Sequence, residues 1–299
     1  MIKRICGPIE SEKSLPAAIE SPIATPAWLS KQNGKYFLTD FTEGEIDRCV
    51  KGAYTGSFDN DIPAPIAQIG ENVNMLELWH GPTCAFKDLA LQLLPYLLTT
   101  SAKKVLNGKK AVILVATSGD TGKAALEGFK DVAGTEVIVF YPSEGVSPTQ
   151  RLQMVTQTGS NVKVFGIQGN FDDAQKAVKE IFTDAEFAKE LKEKGFVLSS
   201  ANSINWGRLL PQIVYYFSAY FDAVKQSAVK FGDSVNFVVP TGNFGDILAG
   251  YYAMKMGLPV NKLICASNSN AVLTDFLTTG TYNKVRDFVK TISPSMDIS

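Results

Sequence analysis

From Val73 to the C-terminus, short runs of apolar and β-branched residues alternate with longer segments of helical periodicity. The run AVILVAT at 111–117 is apolar almost throughout, which is typical of a strand buried on both faces of a parallel sheet. Repeated strand-then-helix order favours right-handed crossovers, with helices covering both faces of the sheet. The pattern therefore predicts an α/β fold of doubly wound, mostly parallel sheets with flanking helices.

The alternation divides the chain into three parts. Residues 1–61 are weakly patterned and interrupted by Pro, Ser and Gly, with one short helix that begins near Thr42. We expect one α/β domain over 62–205 and a second α/β domain over 206–299. Within the first, the segment FKDLALQLLPYLLTTSAKKVL indicates one long helix that Pro95 kinks.

Charge and cysteine content exclude several classes of function. The 29 Lys and Arg residues balance 30 Asp and Glu, so no nucleic-acid partner is expected. One histidine and four scattered cysteines without a CxxC pair predict no metal site. No apolar run approaches the length of a membrane span, and the first residues do not resemble a signal peptide. We expect a soluble protein of a reducing compartment, taken as cytoplasmic, although composition alone does not separate cytosol from organelle.

Ligands of open α/β sheets bind beyond the carboxyl ends of the strands, so the loops that follow strands are the informative ones. The first is ATSGDTGKAA at 116–125. Its glycines allow close backbone approach, and the start of the following helix attracts an anion. The glycine spacing does not fit a nucleotide P-loop. The alternative is an ordinary helix start with Asp120 or Thr121 as N-cap.

The second loop, VVPTGNFGDILAG at 238–250, also runs from a strand into a helix. Successive backbone amides around its two glycines would form a nest for a phosphate group. It is not a GxGxxG sequence, so no dinucleotide is implied. The alternative is an ordinary turn.

The third loop, SSANSINWGRLLPQ at 199–212, places short polar side chains before a helix. Asn202, Ser203 and Asn205 are hydrogen-bonding groups, and Arg208 suits bidentate contact with a phosphate or carboxylate. The alternative is a capping cluster with Arg208 on a solvated helix face.

A fourth segment, HGPTCAFKD at 80–88, contains the only histidine, His80, and places Lys87 where an apolar helix begins. A lysine that attacks a carbonyl must be uncharged, which a partly desolvated pocket favours. The alternative is a structural lysine paired with Asp88, Asp120 or Glu77.

Four segments, HGPTCAFKD, SGDTGKAA, NSINWGR and PTGNFGD, occur in this order and at a spacing that resembles the threonine synthases. The resemblance runs from about Pro63 to Ser299. It implies a fold type II pyridoxal 5'-phosphate (PLP) enzyme, related in fold to the tryptophan synthase β chain. It also implies conversion of O-phospho-L-homoserine and water to L-threonine and phosphate, with 62–205 as the cofactor and substrate domain.

The resemblance also assigns roles to residues. Lys87 would form the Schiff base with PLP and act as acid and base. Ser118, Gly119, Asp120 and Thr121 would lie against the cofactor ring and the substrate carboxylate, with Asp120 near the ring hydroxyl. The residues that would cradle the cofactor phosphate are Gly242, Asn243, Phe244, Gly245 and Asp246. The substrate-binding residues would be Thr83, Phe86, Asn202, Ser203, Asn205 and Arg208, together with His80, which either contacts the substrate or supports a residue that does.

Relative to the family pattern the chain is short at both ends. An N-terminal Ser-Thr-Arg-Gly element is not recognisable before residue 40, and the family continues beyond SPSMDIS, where the contact to the pyridine nitrogen is expected. We therefore expect an incomplete second domain. The alternatives are a catalytically silent or incomplete fragment of this fold, or another fold type II lyase such as threonine dehydratase. Both a monomer and a homodimer remain open.

Overall fold

The computed structural model describes residues 40–59, 61–203, 205–283, 289, 291–293 and 296–297. Its strands are β1 (Ile66–Gly70), β2 (Val73–Leu76), β3 (Lys110–Ala116), β4 (Thr135–Pro142), β5 (Val162–Ile167), β6 (Phe196–Ser200), β7 (Val235–Pro240) and β8 (Val260–Ala266). Its helices are α1 (Glu43–Tyr54), α2 (Asp88–Leu91), α3 (Leu94–Val105), α4 (Asp120–Phe129), α5 (Pro148–Val155), α6 (Phe171–Thr183), α7 (Ala185–Glu193), α8 (Trp206–Lys225), α9 (Gly245–Lys255) and α10 (Val272–Thr279).

The main sheet has four parallel strands in the order β5–β4–β3–β6. Successive residues of β3 point to opposite faces, and both faces are covered. Ile113 on one face packs in a cluster with Leu126 of α4, and Val112 on the other packs with Val178 of α6. The predicted doubly wound α/β arrangement is thereby confirmed for this sheet.

A second parallel pair, β7–β8, forms a separate sheet, and β1–β2 is an antiparallel hairpin. Between them runs α8, which is buried continuously from Arg208 to Ala223. Its apolar residues pack in one cluster with residues of α1, α3 and α9. This helix therefore connects the sheets through its side chains. Among the described residues, no helix combines the length and apolar character needed to cross a bilayer.

One local prediction is wrong, one strand is missing from the predictions, and one prediction is confirmed. The segment predicted as a single helix with a kink at Pro95 forms two helices, because the first helix ends at Leu91. Pro95 lies in the first turn of α3, where its missing amide hydrogen carries no penalty. Strand β1 was not predicted at all. The helix start at Thr42 is correct, since the Thr42 hydroxyl accepts a hydrogen bond from the Glu45 amide in a capping box.

The domain boundaries at 61/62 and 205/206 stay a prediction. Residues 1–39 lie outside the described residues, so most of the predicted N-terminal segment does too.

Candidate active site

The segment before Lys87 is held in place by the carboxylate of Asp88. Asp88 is fully buried and accepts hydrogen bonds from the Thr83 amide at 2.8 Å and the Thr83 hydroxyl at 2.7 Å. Gly81 is required here, because a Cβ at that position would lie 2.5 Å from the Asp88 Cβ. The Thr83 hydroxyl, predicted to shape the substrate pocket, therefore first serves to fix the turn that presents Lys87.

Lys87 immediately precedes α2 and is only 9% exposed. Its Nζ lies 3.4 Å from Asp120 Oδ2 and 4.2 Å from the centre of the Phe86 ring. Burial lowers the pKa of Lys87, the charge of Asp120 opposes this change, and the charge of Arg208 adds to it. Of the three carboxylates considered as pairing partners, Asp120 is the one in contact. The alternative of a lysine paired with Asp120 therefore matches the structure, and the role of Lys87 as a nucleophile stays a prediction.

The SGDTG loop begins where β3 ends, and its backbone is fixed by Thr117. The Thr117 hydroxyl accepts hydrogen bonds from the amides of Gly119 and Gly122, each at 2.9 Å. Gly119 is the N-cap residue and adopts φ 141°, so the prediction of Asp120 or Thr121 as N-cap is wrong. The physical reason is that Thr117 supplies the acceptor that a capping side chain would otherwise provide.

Asp120 is the centre of a polar cluster in this loop. Its Oδ1 accepts a hydrogen bond from Gln150 Nε2 at 2.7 Å and lies 3.6 Å from Lys123 Nζ. Lys123 also donates to the carbonyl oxygen of Thr83 at 2.9 Å, which links this loop to the Lys87 segment. Sequence reasoning missed Gln150 and Lys123. The spacing Ser-x-x-Gln at 147–150 is a helix-start signal that could have drawn attention to Gln150.

The two asparagines of the third loop are engaged with the backbone. Asn205 caps α8 by accepting from the Gly207 amide at 2.9 Å, and it donates to the Ser200 carbonyl at 2.7 Å. Asn202 donates to the Ala116 carbonyl at 3.2 Å and so ties the end of β6 to the end of β3. The capping alternative therefore describes Asn205, whereas Asn202 joins two strand ends. The predicted substrate contacts of both asparagines stay a prediction.

Arg208 is 1% exposed, so the alternative of a solvated helix face is wrong. Its Nε and Nη1 atoms have no hydrogen-bond acceptor in the part of the chain that the structure describes. Burial lowers the pKa of Arg208 to about 10, against the opposing charges of Asp246 and Asp88 among others. A buried cation with donors left over is destabilising unless an anion pairs with it, so this position is suited to an anionic ligand.

The GNFGD loop leads into α9, which begins at Gly245. Among the described residues, the amides of Asn243, Phe244 and Gly245 donate to no protein acceptor, as expected for a helix start that binds an anion. The Asp246 carboxylate accepts hydrogen bonds from Tyr216, at 2.8 Å, and Tyr215. The Asp246 carboxylate is therefore engaged by protein donors, and the predicted place of this residue in a phosphate cradle stays a prediction.

The first two loops meet at one cavity of about 680 Å³, large enough for a small cofactor and substrate. The predicted residues that line it are Ser118, Gly242, Asn243 and Phe244. Its wall also includes Pro142 at the end of β4, residues 144–148 and residues after β5, so the carboxyl ends of these strands border it. Lys87, Asp120 and Arg208 are not part of this wall. Ser203 adjoins the GNFGD loop, since a Cβ at Gly245 would lie 2.7 Å from its Oγ.

Residues 61–299 match the family described as pyridoxal-phosphate dependent enzyme. The chain belongs to this family. Threonine synthase-like 1 of Pongo abelii is 46% identical over 266 residues, which are 87% of this chain and 35% of that relative. Threonine synthase of Pseudomonas aeruginosa is 47% identical over 259 residues, 86% of this chain and 52% of the relative. This chain thus spans about a third to a half of their lengths.

The solved structures give the same family relationship. The crystal structure of PLP-bound threonine synthase from Brucella melitensis superimposes with a TM-score of 0.82 at 40% identity, covering 97% of this chain and 59% of that one. The predicted resemblance to threonine synthases and the fold type II architecture are both confirmed.

The cofactor of this PLP-dependent family is pyridoxal 5'-phosphate, and the residues present fit it. A buried amine with a lowered pKa, Lys87, suits a carbonyl partner. The amides of 243–245 at the start of α9, which donate to no acceptor among the described residues, suit a phosphate group. The described residues contain no group of three or more His, Cys, Asp or Glu side chains placed to hold a metal ion.

His80 is held between two carboxylates. Its Nδ1 lies 2.7 Å from Asp59 Oδ1, and its Nε2 lies 2.8 Å from Glu77 Oε2. The hydrogen bond to Glu77 is the main cause of a raised pKa for His80, and Asp59 adds to it. Because both ring nitrogens are engaged, the geometry favours the supporting role over direct substrate contact. Thr121, in the first turn of α4, is half-buried, and its predicted cofactor contact stays a prediction.

Proposed function

We propose that this chain carries the cofactor-binding and reactive-lysine part of a threonine synthase that converts O-phospho-L-homoserine and water to L-threonine and phosphate. The observation that carries the proposal is the pairing of two buried cations with different surroundings. Lys87 has a carboxylate partner and a lowered pKa, whereas two nitrogens of Arg208 have no acceptor among the described residues. The Lys87 amine would react with the cofactor aldehyde, and the Arg208 guanidinium would bind a second anion. This combination suits a substrate that is a phosphorylated amino acid.

When bound, PLP supplies an aldehyde for an amine and a ring that accepts electron density from the substrate's α-carbon. Lys87 is the residue that would hold the aldehyde and carry protons to and from the substrate. Burial lowers the pKa of Lys87 and so favours the neutral amine, which is the form that accepts a proton. The Asp120 carboxylate, 3.4 Å from the Lys87 amine, opposes this lowering of the pKa and orients the amine.

Arg208 would bind the substrate phosphate and stabilise the charge that develops as phosphate leaves. A fixed donor in a water-poor site acts strongly on such charge because it needs no reorganisation. The amides of 243–245 would bind the phosphate of the cofactor. Phe86, stacked beside the Lys87 amine, would exclude water from one side of it.

The test loads the purified chain with PLP, reduces it with borohydride and maps the labelled peptide. We expect the label on Lys87, loss of label and of turnover in Lys87→Ala, and no change in Lys130→Ala, an exposed lysine at the end of α4. Absence of label on Lys87 in the unmodified chain would overturn the proposal.

A second measurement follows phosphate and amino-acid products from O-phospho-L-homoserine. L-threonine with stoichiometric phosphate supports the proposal. Phosphate release with a 2-oxo acid in place of threonine would instead indicate another lyase of this fold. Label on Lys87 without any turnover would indicate a catalytically silent member.

A further inference from the structure

The two carboxylate oxygens of Asp120 have different neighbours, with Lys87 near one and Gln150 and Lys123 near the other. Gln150 Nε2 donates to Asp120 Oδ1 at 2.7 Å, and Asp120 Oδ2 is the oxygen 3.4 Å from Lys87 Nζ. Gln150 is 7% exposed and lies on α5, which follows β4, while Asp120 follows β3. A contact between loops of two neighbouring strands thus sets the orientation of a group beside the reactive amine.

The amide of Gln150 is itself oriented by the capping box of α5. Its Oε1 accepts hydrogen bonds from the Ser147 hydroxyl at 3.0 Å and from the Ser147 backbone amide at 3.4 Å. The Ser147 hydroxyl in turn accepts a hydrogen bond from the backbone amide of Gln150. With the oxygen committed to Ser147, the NH₂ group must point the other way, towards Asp120. The helix start therefore determines which end of the side chain meets the carboxylate.

The backbone of the SGDTG loop makes room for this contact. A Cβ at Gly119 would lie 2.4 Å from the Gln150 Cδ and Oε1 atoms, and Gly119 has φ 141°, a conformation that favours glycine. Glycine at 119 and glutamine at 150 are therefore complementary in shape.

We infer that Gln150 is a positioning residue, which holds the Asp120 carboxylate against the Lys87 amine. The inference rests on the proposed role of Lys87 and extends it to a residue on a different loop. Its expected consequence is electrostatic. At an effective dielectric constant of about 20, moving Asp120 Oδ2 from 3.4 Å to about 4.4 Å from Nζ gives a roughly six-fold change in the acid dissociation constant of Lys87.

The experiment measures the titration of Lys87 in the full chain stripped of cofactor and without substrate. Acetic anhydride labelling over a series of pH values, with peptide mapping, gives a midpoint that reports the pKa and a plateau that reports access. Gln150→Met removes the donor without changing charge. We expect the midpoint to fall by the equivalent of about six-fold, because the attraction that favours the charged amine weakens. Gln153→Met on the same helix is the matched control.

A double-mutant cycle separates positioning from a general effect of the substitution. In the Asp120→Asn background, Gln150→Met should leave the midpoint unchanged. An equal change in both backgrounds, or no change in either, overturns the inference. If Gln150→Met does not fold, Ser147→Ala takes its place, because it changes no charge and removes the hydroxyl that orients the Gln150 amide. A role in capping alone then predicts an unchanged midpoint, whereas the positioning role predicts a lower one.

The two proposals fail separately. Borohydride label missing from Lys87 refutes the proposed function, whatever the acetylation profile shows. A cofactor-free midpoint that does not respond to Gln150 refutes the positioning role while the proposed function stands.

Discussion

Replacing Arg208 with methionine should stabilise the protein when no ligand is bound. The guanidinium is 1% exposed, and two of its nitrogens lack acceptors among the described residues. Burial lowers the pKa of Arg208 from 12.5 to about 10. At 1.36 kcal/mol per pKa unit, the fold disfavours the charged form by about 3 kcal/mol at any pH below that folded-state pKa. Methionine has a similar volume and no charge, so we expect the free energy of unfolding to rise by about 1 to 3 kcal/mol.

The same substitution should abolish a stabilising response to phosphate. A ligand that binds the folded state alone adds about 2.7 kcal/mol at a concentration of 100 times its Kd. Urea unfolding at neutral pH, followed by circular dichroism and tryptophan fluorescence, measures both effects. The ligand-free comparison uses the chain without PLP. The phosphate comparison uses the PLP-saturated chain, so that the amides of 243–245 are already occupied.

Arg151→Met is the control, because Arg151 is exposed on α5 and its replacement should change neither quantity. Two results would refute the reasoning. If the Arg208 variant is less stable than the unmodified protein, the guanidinium is compensated within the fold. If phosphate stabilises the variant as much as the unmodified protein, the second anion binds elsewhere.

Three further predictions concern other parts of the site. In the unmodified protein, the stability that protonated His80 provides is fully present below pH 6.5 and is lost as the pH rises through the higher folded-state pKa. His80→Gln removes this contribution, so denaturation midpoints should depend less on pH in the variant. Tyr216→Phe removes a donor from the buried Asp246 carboxylate and should lower the free energy of unfolding by about 1 to 3 kcal/mol in urea titrations. Gly119→Ala should be about 1 to 3 kcal/mol more destabilising than Gly134→Ala, since both have positive φ but a Cβ at 134 meets open space; equal losses would contradict this.

The sequence predicts the elements whose patterns are long and regular. AVILVAT coincides closely with β3 because a strand buried on both faces leaves a continuous apolar run. Strand β1 leaves no such trace, because IAQIG is short, mostly exposed and defined by its pairing with β2. A proline at a helix kink and a proline in the first turn of a helix have the same local sequence pattern. The break before Pro95 depends on packing, which the local sequence does not reveal.

In the site as well, local motifs could be predicted from the sequence, but contacts between distant residues could not. The order of motifs indicates Lys87 and the three loops. The contacts that set their chemistry, Gln150 to Asp120 and Tyr216 to Asp246, each join residues 30 positions apart and depend on how helices cross. The burial of Arg208 could have been predicted, because the helix that contains it is apolar on nearly every face and such helices are buried.

In the SGDTG loop, the residue that stabilises the helix start, Thr117, is separate from the residues predicted to contact a ligand. The hydroxyl that satisfies the start of α4 belongs to the residue right after the strand and is buried beneath the loop. Neither Ser118 in the loop nor Thr121 in the first turn of α4 makes a capping hydrogen bond within the described part of the chain. Their predicted ligand contacts can therefore be varied by substitution while Thr117 maintains the helix start.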